Sequence, residues 1–411
     1  MKYYYLQAHD KHARIRRIQL AAIAAGVVIA ACILLLIAAG TKKNMNDQAA
    51  KNNGPKAVML DTNATDLRQA NCQSKAKKHS AIERSSVSQL RKLAEYETAC
   101  DSSVTDTVSF FTALPTTSNE AVDQATDVAE TLKEYARHGI TPVVFLEPNT
   151  PSGNVADFTA YQSGSYDPIL ELFFSNLRSQ GITDKQMGMW VPLPEWNIPA
   201  WGNTEPALFV DLFTRTAQMQ KHFFPGSQVS VMLESKTYIH GSWEASSYSS
   251  LLPYVQGIPK GLVDSFGLQG FPWGAQDSGE VAITDPKVYL RADLAMEAAH
   301  ALGVKHIWFN TGTFRYFAKS TSKPTTLSPL QRQQDLSGVI NIAQEVKQAG
   351  FQSAIHLFAR DKSNTDEKID WSYWSPGGVK NSPYTVVFQT FVHDVRAAGV
   401  SLWLYDNDGK D

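Results

Sequence analysis

The chain has 411 residues, of which 43% are hydrophobic and 10% aromatic, and its formal net charge is -2. This composition supports a large folded core. The near-neutral balance lacks the basic surface that nucleic acid requires, so we expect no nucleic-acid partner.

The first predicted element is an apolar helix over residues 18–40, which contain no charged side chain. At about 1.5 Å per residue it is long enough to cross the roughly 30 Å hydrocarbon core of a membrane. Residues 1–17 are rich in Lys and Arg, which predicts a cytoplasmic basic tail. We therefore predict a single-pass anchor in contact with membrane lipid, with the N-terminus cytoplasmic and the C-terminal domain extracellular at the cell membrane.

Two alternatives concern how this segment works. A cleaved signal peptide is the first, although its apolar core is usually shorter. The second is lipidation of Cys32, which follows Ile29-Ala30-Ala31 in the pattern of bacterial lipoproteins, although the residues after Cys32 remain apolar. Either a helix or a lipid would keep the domain tethered outside the cell.

Residues 41–55 are polar and predict a short stalk, which leaves 56–411 for the folded domain, expected to be a monomer. Cys72 and Cys100 are the cysteines outside the apolar segment. In an oxidising compartment such a pair favours a disulfide, and two separate buried thiols are the alternative.

The domain alternates short apolar runs with amphipathic helical stretches, which predicts the α/β class and a (β/α)8 TIM barrel. A doubly wound open sheet is the alternative, but no Gly-rich phosphate-binding pattern follows an early strand. A further run, 400–405, would be a ninth strand or a packing segment outside the barrel. The eight predicted strands are 57–60, 108–112, 142–146, 188–193, 229–233, 265–269, 306–309 and 354–358.

Carboxylates follow these strands and aromatic residues crowd the same strand ends, where the active sites of such barrels are built. Aromatic rings stack on sugar rings and carboxylates bind hydroxyl groups, so the mixture favours a polysaccharide cleft over an ordinary core with solvated acids. The acids are Asp61, Glu147, Glu195, Glu234 and Asp361, and the aromatic residues are Trp190, Trp196, Trp201, Tyr238, Phe271, Trp273, Trp308, Phe358 and Trp371.

The stretch 189–202, MWVPLPEWNIPAWG, resembles glycoside hydrolase family 26, the β-mannanase family. The fourth strand of that family ends in an Arg-Pro-Leu-His-Glu-Met-Asn pattern, followed by a loop with two tryptophans. Segments 139–144, 164–167 and 263–268 and the pair Asp370-Trp371 also resemble parts of the family in the same order. The resemblance implies activity on a β-linked polysaccharide such as β-mannan.

The resemblance also implies roles for individual residues. Glu195 falls on the general acid/base of the family, and Trp196, Asn197 and Trp201 fall on or beside substrate-contacting positions. Pro194 replaces the histidine of the family. Asn310, in the segment 308–312, stands where the family carries its nucleophilic Glu on the seventh strand. A neutral amide cannot form the glycosyl ester of a retaining mechanism.

Two hypotheses remain from the sequence. The first is an active hydrolase with Glu195 as acid and Glu234 or, second, Glu147 as the other carboxylate, by retention or by inversion. The second is an inactive barrel that binds cell-surface or environmental glycan. A metal enzyme is disfavoured because the His and Cys residues lack ligand spacing, so we expect no metal and no cofactor.

Overall fold

The computed structural model contains a closed barrel of eight parallel strands, so the (β/α)8 prediction is confirmed. Chain order and spatial order agree, and β8 closes the ring by pairing with β1 through Leu404 and Val108. The strands are β1 Thr107–Ala113, β2 Thr141–Glu147, β3 Met189–Pro192, β4 Gln228–Glu234, β5 Ser265–Gln269, β6 His306–Gly312, β7 Gln352–Phe358 and β8 Ser401–Tyr405.

The structure describes a defined part of the chain, which begins at Cys72. The described residues are 72, 75–198, 205–238, 245–271, 273–274, 281–282, 285–312, 315–317, 324–326, 328–359, 369–370 and 385–406. The predicted tail 1–17, apolar segment 18–40 and stalk 41–55 lie outside them. Within the described part, no helix has both the length and the apolar character needed to span a membrane.

Helices follow the strands and pack against the outside of the barrel. Several begin with a side-chain cap that satisfies free backbone N–H groups; Thr117 with Glu120, and Ser328 with Gln331, form reciprocal capping boxes. The helices are α1 Ser88–Cys100, α2 Ser118–Arg137, α3 Phe158–Gln162, α4 Asp167–Ser179, α5 Asp184–Met187, α6 Pro206–Phe223, α7 Leu252–Val255, α8 Pro286–Tyr289, α9 Ala292–Leu302, α10 Pro329–Gln348 and α11 Thr385–Ala397.

Short antiparallel strands occur in the connections that leave the carboxyl ends of β4, β5, β6 and β7. They build up the same end of the barrel at which the predicted acids follow the strands. The paired segments are Lys236–Tyr238 with Ala245–Ser247, Trp273–Gly274 with Val281–Ala282, and Arg315–Phe317 with Pro324–Thr326 and Ile369–Asp370.

The strand assignment differs from the sequence prediction at both ends of the domain. The run predicted as a ninth strand or an outer segment is β8, which pairs with both β7 and β1. The predicted first strand, 57–60, lies outside the described residues. Apolarity alone cannot distinguish a barrel strand from another apolar run, because only pairing defines one. Each strand therefore moves one place earlier, so Glu195 follows the third strand and Glu234 ends the fourth.

Side chains alternate between the inside of the barrel and its helix-covered outside. On β3, Met189 and Val191 belong to the inner apolar cluster, whereas Trp190 between them packs outward with the helices. The other inner residues of this cluster are Val143, Phe145, Met232, Trp308, Ala354 and Trp403, with Phe111 packed against them. This alternation decides which residues near the strand ends face the barrel mouth.

A disulfide joins the start of the described chain to the end of α1. Cys72 and Cys100 are bonded, with their Cα atoms 5.3 Å apart. The backbone carbonyl of Cys72 also accepts hydrogen bonds from the Ser102 hydroxyl, at 3.3 Å, and from Arg396 of α11. The segment before α1 is thereby attached to the end of the barrel opposite the mouth.

Candidate active site

Two carboxyl groups lie side by side at the mouth. Glu234 is the last residue of β4 and is almost completely buried, with 2% of its surface exposed. Glu195 lies in the loop that follows β3, and its side chain is half-buried. Neighbouring parallel strands end at the same edge, which is why a residue after β3 meets one at the end of β4.

The loop that carries Glu195 has an unusual backbone. Leu193 and Glu195 both adopt the left-handed region, with φ of 51° and 58°, which is uncommon for residues with a side chain. Two backbone hydrogen bonds hold the loop: Leu193 N–H donates to Leu146 O at 2.9 Å, and Glu195 N–H donates to Met232 O at 3.1 Å. Such conformations persist where surrounding contacts fix them, and they cluster at functional sites.

Asn197 joins the two carboxyl-bearing segments. Its Nδ2 donates to the backbone carbonyl of Glu234, and its Oδ1 accepts from the backbone N–H of Glu234, both at 2.8 Å. Tyr248 donates its hydroxyl to the carbonyl of Asn197. Because Asn197 is fully buried, it acts as a clamp between the Glu195 loop and β4 rather than as a substrate contact.

Both carboxyl groups resist ionisation. Burial raises the pKa of Glu195 to about 7, the charge of Glu147 adds to this, and the Gln269 amide opposes it. Although part of Glu195 remains accessible, the surrounding protein removes most of the water that would hydrate its charge. Burial and the charge of Glu195 raise the pKa of Glu234, against the opposing effects of Gln269 and Lys236. The two groups therefore titrate as an interacting pair.

Two further ionisable groups border this pair. Glu147 ends β2, is half-buried and accepts a hydrogen bond from Asn149 Nδ2 at 3.2 Å. Lys236 is buried just after β4, donates from Nζ to the Phe271 carbonyl at 3.0 Å and lies 5.4 Å from the centre of the Tyr289 ring. Burial lowers the pKa of Lys236, and the neighbouring Glu234 opposes that change.

A row of polar side chains leads from Glu234 across the inside of the barrel. Gln269 of β5 donates from Nε2 to Glu234 at 3.0 Å, and Asn310 of β6 donates to Gln269 Oε1. His356 of β7 contacts Asn310 Oδ1 through Nδ1 at 2.6 Å and Ser109 Oγ of β1 through Nε2 at 2.7 Å. Burial lowers the pKa of His356 to about 3, so its ring is neutral.

Asn310, suggested by the sequence as the counterpart of a nucleophile, is a member of this row. It lies on the sixth strand rather than the seventh, and only 2% of its surface is exposed. Both ends of its amide bond protein groups. The structure therefore does not place Asn310 as a group that faces substrate, and Glu234 occupies the position beside Glu195.

Three of the predicted sugar-binding tryptophans lie in the core. Trp190 packs against the phenylalanines of α4 and donates from Nε1 to Met187 O at 3.0 Å. Trp196 packs between aromatic residues of α3 and α6. Trp308 fills the inside of the barrel and donates to Ser230 Oγ at 2.9 Å. All three are fully buried, so none has a free face for a sugar.

The remaining predicted site residues divide into three groups. Glu147 lies beside the carboxyl pair, as described above. Tyr238 and Trp273 lie on the short strands that follow β4 and β5. Trp201, Trp371, Asp61 and Asp361 lie outside the described residues.

An aromatic cluster at the mouth includes two residues that the sequence did not single out, Phe111 and Tyr405. Tyr405 of β8 lies 4.8 Å from Phe111 and 4.7 Å from Phe358 of β7, measured between ring centres, and Phe111 stacks on Phe145 at 4.7 Å. Phe111 and Phe358 are half-buried. The alternation of side chains along a strand could have predicted them, because these side chains lie on the same inward face as Ser109 and His356.

The sequence also did not single out Gln269, Lys236 or His356. For Gln269 and His356 the available signal was a polar residue at an inward position of an otherwise apolar strand, whereas Lys236 lies just beyond β4 and carried no such signal. Within the described part of the chain, no group of three or more His, Cys, Asp or Glu residues is arranged to hold a metal ion.

No protein-family model matches the chain, and no curated protein matches its sequence. Among solved structures, the chain is similar to the endo-β-1,4-mannanase from Thermotoga petrophila, at 11% identity, covering 84% of this chain and 79% of that one, with a TM-score of 0.45. It is also similar to the endo-1,4-β-mannanase from Rhizomucor miehei, at 12% identity, 78% and 94% coverage and a TM-score of 0.48.

A family 1 β-glucosidase from Thermotoga maritima is similar at 9% identity, with 76% and 86% coverage and a TM-score of 0.49. These neighbours are glycoside hydrolases with barrel folds. At these identities and TM-scores they carry no argument about activity, so the chemistry of this chain is inferred from its own residues.

Proposed function

We propose that the chain is a glycoside hydrolase that cleaves a β-linked polysaccharide such as β-mannan with Glu195 and Glu234 as its carboxyl pair. The observation that carries the proposal is the juxtaposition of these groups at the barrel mouth, where the charge of Glu195 raises the pKa of Glu234. Glycoside hydrolysis uses such a pair, one carboxyl protonated and one ionised. The substrate class comes from the sequence resemblance described above.

Glu195 is assigned the general acid. It keeps accessible surface at the mouth, so it can meet a glycosidic oxygen and exchange its proton with water. Its pKa of about 7 leaves a substantial protonated fraction at neutral pH. In the reaction, the carboxyl proton passes to the departing oxygen as the bond between that oxygen and the anomeric carbon breaks.

Glu234 is assigned the second carboxylate. Burial and the charge of Glu195 raise its pKa, but the Gln269 N–H bonds to it and Lys236 lies nearby, and both favour its ionised form. The opposing charge of Glu195 is absent while Glu195 carries the acid proton. As a nucleophile it would attack the anomeric carbon and form an ester that water then hydrolyses; as a base it would deprotonate an attacking water. The anomer formed first, observed by proton NMR, distinguishes retention from inversion.

The proposed location follows from the sequence alone. The uncharged segment 18–40 would hold the barrel at the outer face of the cell membrane through the stalk 41–55. A tethered hydrolase would act on glycan close to its own cell.

The test compares the purified full-length chain with Glu195→Gln, Glu234→Gln and the double variant on mannans, glucans and xylans, following new reducing ends and binding. We expect each single variant to lose at least about 100-fold in kcat, and the double variant to lose little more, because the pair acts as a unit. Glu171→Gln is the matched control, since Glu171 is exposed on α4.

Retained binding in the silent variants, with circular dichroism spectra like that of the parent, attributes the loss to chemistry. Binding of glycan by the parent chain with no hydrolysis of any substrate would contradict the proposal and leave the glycan-binding hypothesis. Turnover that survives both substitutions would contradict the assignment of the pair.

A further inference from the structure

The polar row inside the barrel has a single hydrogen-bond direction. It contains one residue from each of five strands, and every member is buried: Ser109, His356, Asn310, Gln269 and Glu234. Four hydrogen bonds connect them in that order. A buried polar group without a hydrogen-bond partner destabilises the folded protein. Each position in the row therefore requires a side chain with the matching donors and acceptors.

The direction follows from the carboxyl end. The Glu234 oxygen accepts, so Gln269 presents its N–H to it and keeps its carbonyl oxygen for another donor. Asn310 supplies that donor, which leaves the Asn310 oxygen free to accept from His356. The amide orientations and the histidine tautomer are fixed by this pattern of partners.

The histidine completes the pattern because its ring is neutral. Ser109 and Asn310 bond its two nitrogens, while Phe145 and Trp308 lie 5.5 and 5.9 Å from its ring centre. None of these neighbours carries a charge that would stabilise an imidazolium. The ring therefore donates from Nδ1 to Asn310 and accepts at Nε2 from the Ser109 hydroxyl.

We infer that Asn310, His356 and Ser109 are positioning residues that hold the Gln269 amide in the orientation in which it donates to Glu234. The inference rests on the proposed function of Glu234. An amide is the side chain that position 310 requires, because it must accept from His356 and donate to Gln269 at once. A carboxylate there would accept from both sides and turn the Gln269 carbonyl towards Glu234.

The row also determines which oxygen of Glu234 is available. Oε2 accepts from Gln269 at 3.0 Å, whereas the contact of Oε1 with Ser235 Oγ is long, at 3.5 Å. Oε1 is therefore the oxygen that we expect to react. The row thus fixes the side chain of Glu234, while the Asn197 clamp fixes its backbone.

The first test is spectroscopic and does not depend on activity. The full-length chain labelled with nitrogen-15 in histidine is examined by long-range proton–nitrogen correlation from about pH 5 to about pH 8. We expect one ring that is protonated on Nδ1 alone over this range, whose Nε2 signal moves in Ser109→Ala. A ring protonated on Nε2 instead, or one that titrates within this range, would overturn the inference.

The second test uses Asn310→Asp, an isosteric change. We expect kcat to fall about 10- to 100-fold with KM nearly unchanged, and the carbon-13 carboxyl signal of Glu234 to titrate at higher pH than in the parent chain. Ser109→Ala should move the same signal in the same direction by less. The control is Ser265→Ala, whose buried hydroxyl bonds Met189 Sδ outside the row and should leave both readouts unchanged.

Higher turnover in Asn310→Asp would overturn the inference, since it would mean that position 310 lacks a carboxylate that the reaction needs. An unchanged Glu234 titration in a folded Asn310→Asp variant would also overturn it. If the parent chain hydrolyses no glycan, the proposed function fails separately, because the histidine tautomer and the Glu234 titration still test the row itself.

Discussion

The inner face of the barrel mouth has two halves with the same strand geometry and opposite chemistry. The acidic half contains Glu195, Glu234, Gln269 and Asn310, and the aromatic half contains Phe111, Phe145, Phe358 and Tyr405. Hydrogen bonds with a fixed direction hold the first half, whereas ring contacts hold the second. Donor and acceptor identity is therefore strict in the acidic half, while shape and volume matter more in the aromatic half.

The strongest contrast between the halves should come from isosteric changes. Gln269→Glu replaces the donor to Glu234 with a third carboxyl beside a pair that already resists ionisation, so we expect kcat/KM to fall at least about 100-fold. Tyr405→Phe conserves the volume of a ring in the aromatic half and should change kcat/KM about 3-fold or less. Comparable losses in steady-state assays of the two variants would contradict the distinction.

The clamp at Asn197 should contribute mainly to stability. Asn197→Ala removes both partners of the Glu234 backbone, and each orphaned group costs about 1–3 kcal/mol. We expect the free energy of unfolding, measured with denaturant, to fall by about 2–4 kcal/mol. Asn176→Ala is the control, because its Nδ2 bonds a carbonyl of its own helix, Leu172 O, at 2.7 Å. Equal losses in the two variants would show that the clamp has no special effect.

The raised pKa of Glu195 predicts a stability difference that depends on pH. Its ordinary value is 4.5 and its folded value is about 7, so ionisation opposes folding increasingly as pH rises between these values. Glu195→Gln should therefore be more stable than the parent at about pH 8, by at most about 3 kcal/mol, and nearly equal to it at about pH 4. Melting curves at both pH values test the sign. If Glu195→Gln is less stable than the parent at about pH 8, the conclusion that burial of Glu195 opposes its ionisation is wrong.

The smallest effect is expected in the aromatic half. Phe358→Leu removes a half-buried ring face at the end of β7 while keeping an apolar side chain. If this half forms the apolar wall of a sugar site, KM should rise about 3- to 10-fold with kcat nearly unchanged. Phe351→Leu, a change in a buried ring at the start of β7, is the control. A fall in kcat for Phe358→Leu with KM unchanged would assign the ring to the reacting centre instead.

Sequence periodicity was sufficient for the fold and the number of strands but not for deciding which segments are the strands. Seven of the predicted strands coincide with β1 to β7, because buried parallel strands are short apolar runs between helices. The run 400–405 looked no different from 57–60, and only its pairing with β7 and, through Leu404 and Val108, with β1 assigns it to the ring. That shift of one place changed the strand on which each candidate residue lies.

For the site, the sequence identified acids at strand ends but not their partners. Glu195, Glu234 and Glu147 do meet, since acids after neighbouring parallel strands share one edge. The tryptophans could not be sorted in this way, because a shift of one position along a strand moves a side chain from the mouth or barrel interior to the helix-covered face. Trp190 and the hydrogen-bond row through Asn310 required the three-dimensional register.

The most direct test of the carboxyl pair is a carbon-13 titration of its side chains. Glutamate is labelled at the carboxyl carbon, and the signals of Glu195 and Glu234 are followed in the parent chain, Glu195→Gln and Glu234→Gln. The pair predicts that both groups titrate well above 4.5 in the parent, and that Glu234 titrates at lower pH once Glu195 is neutral. Two independent titrations near 4.5 would contradict the account.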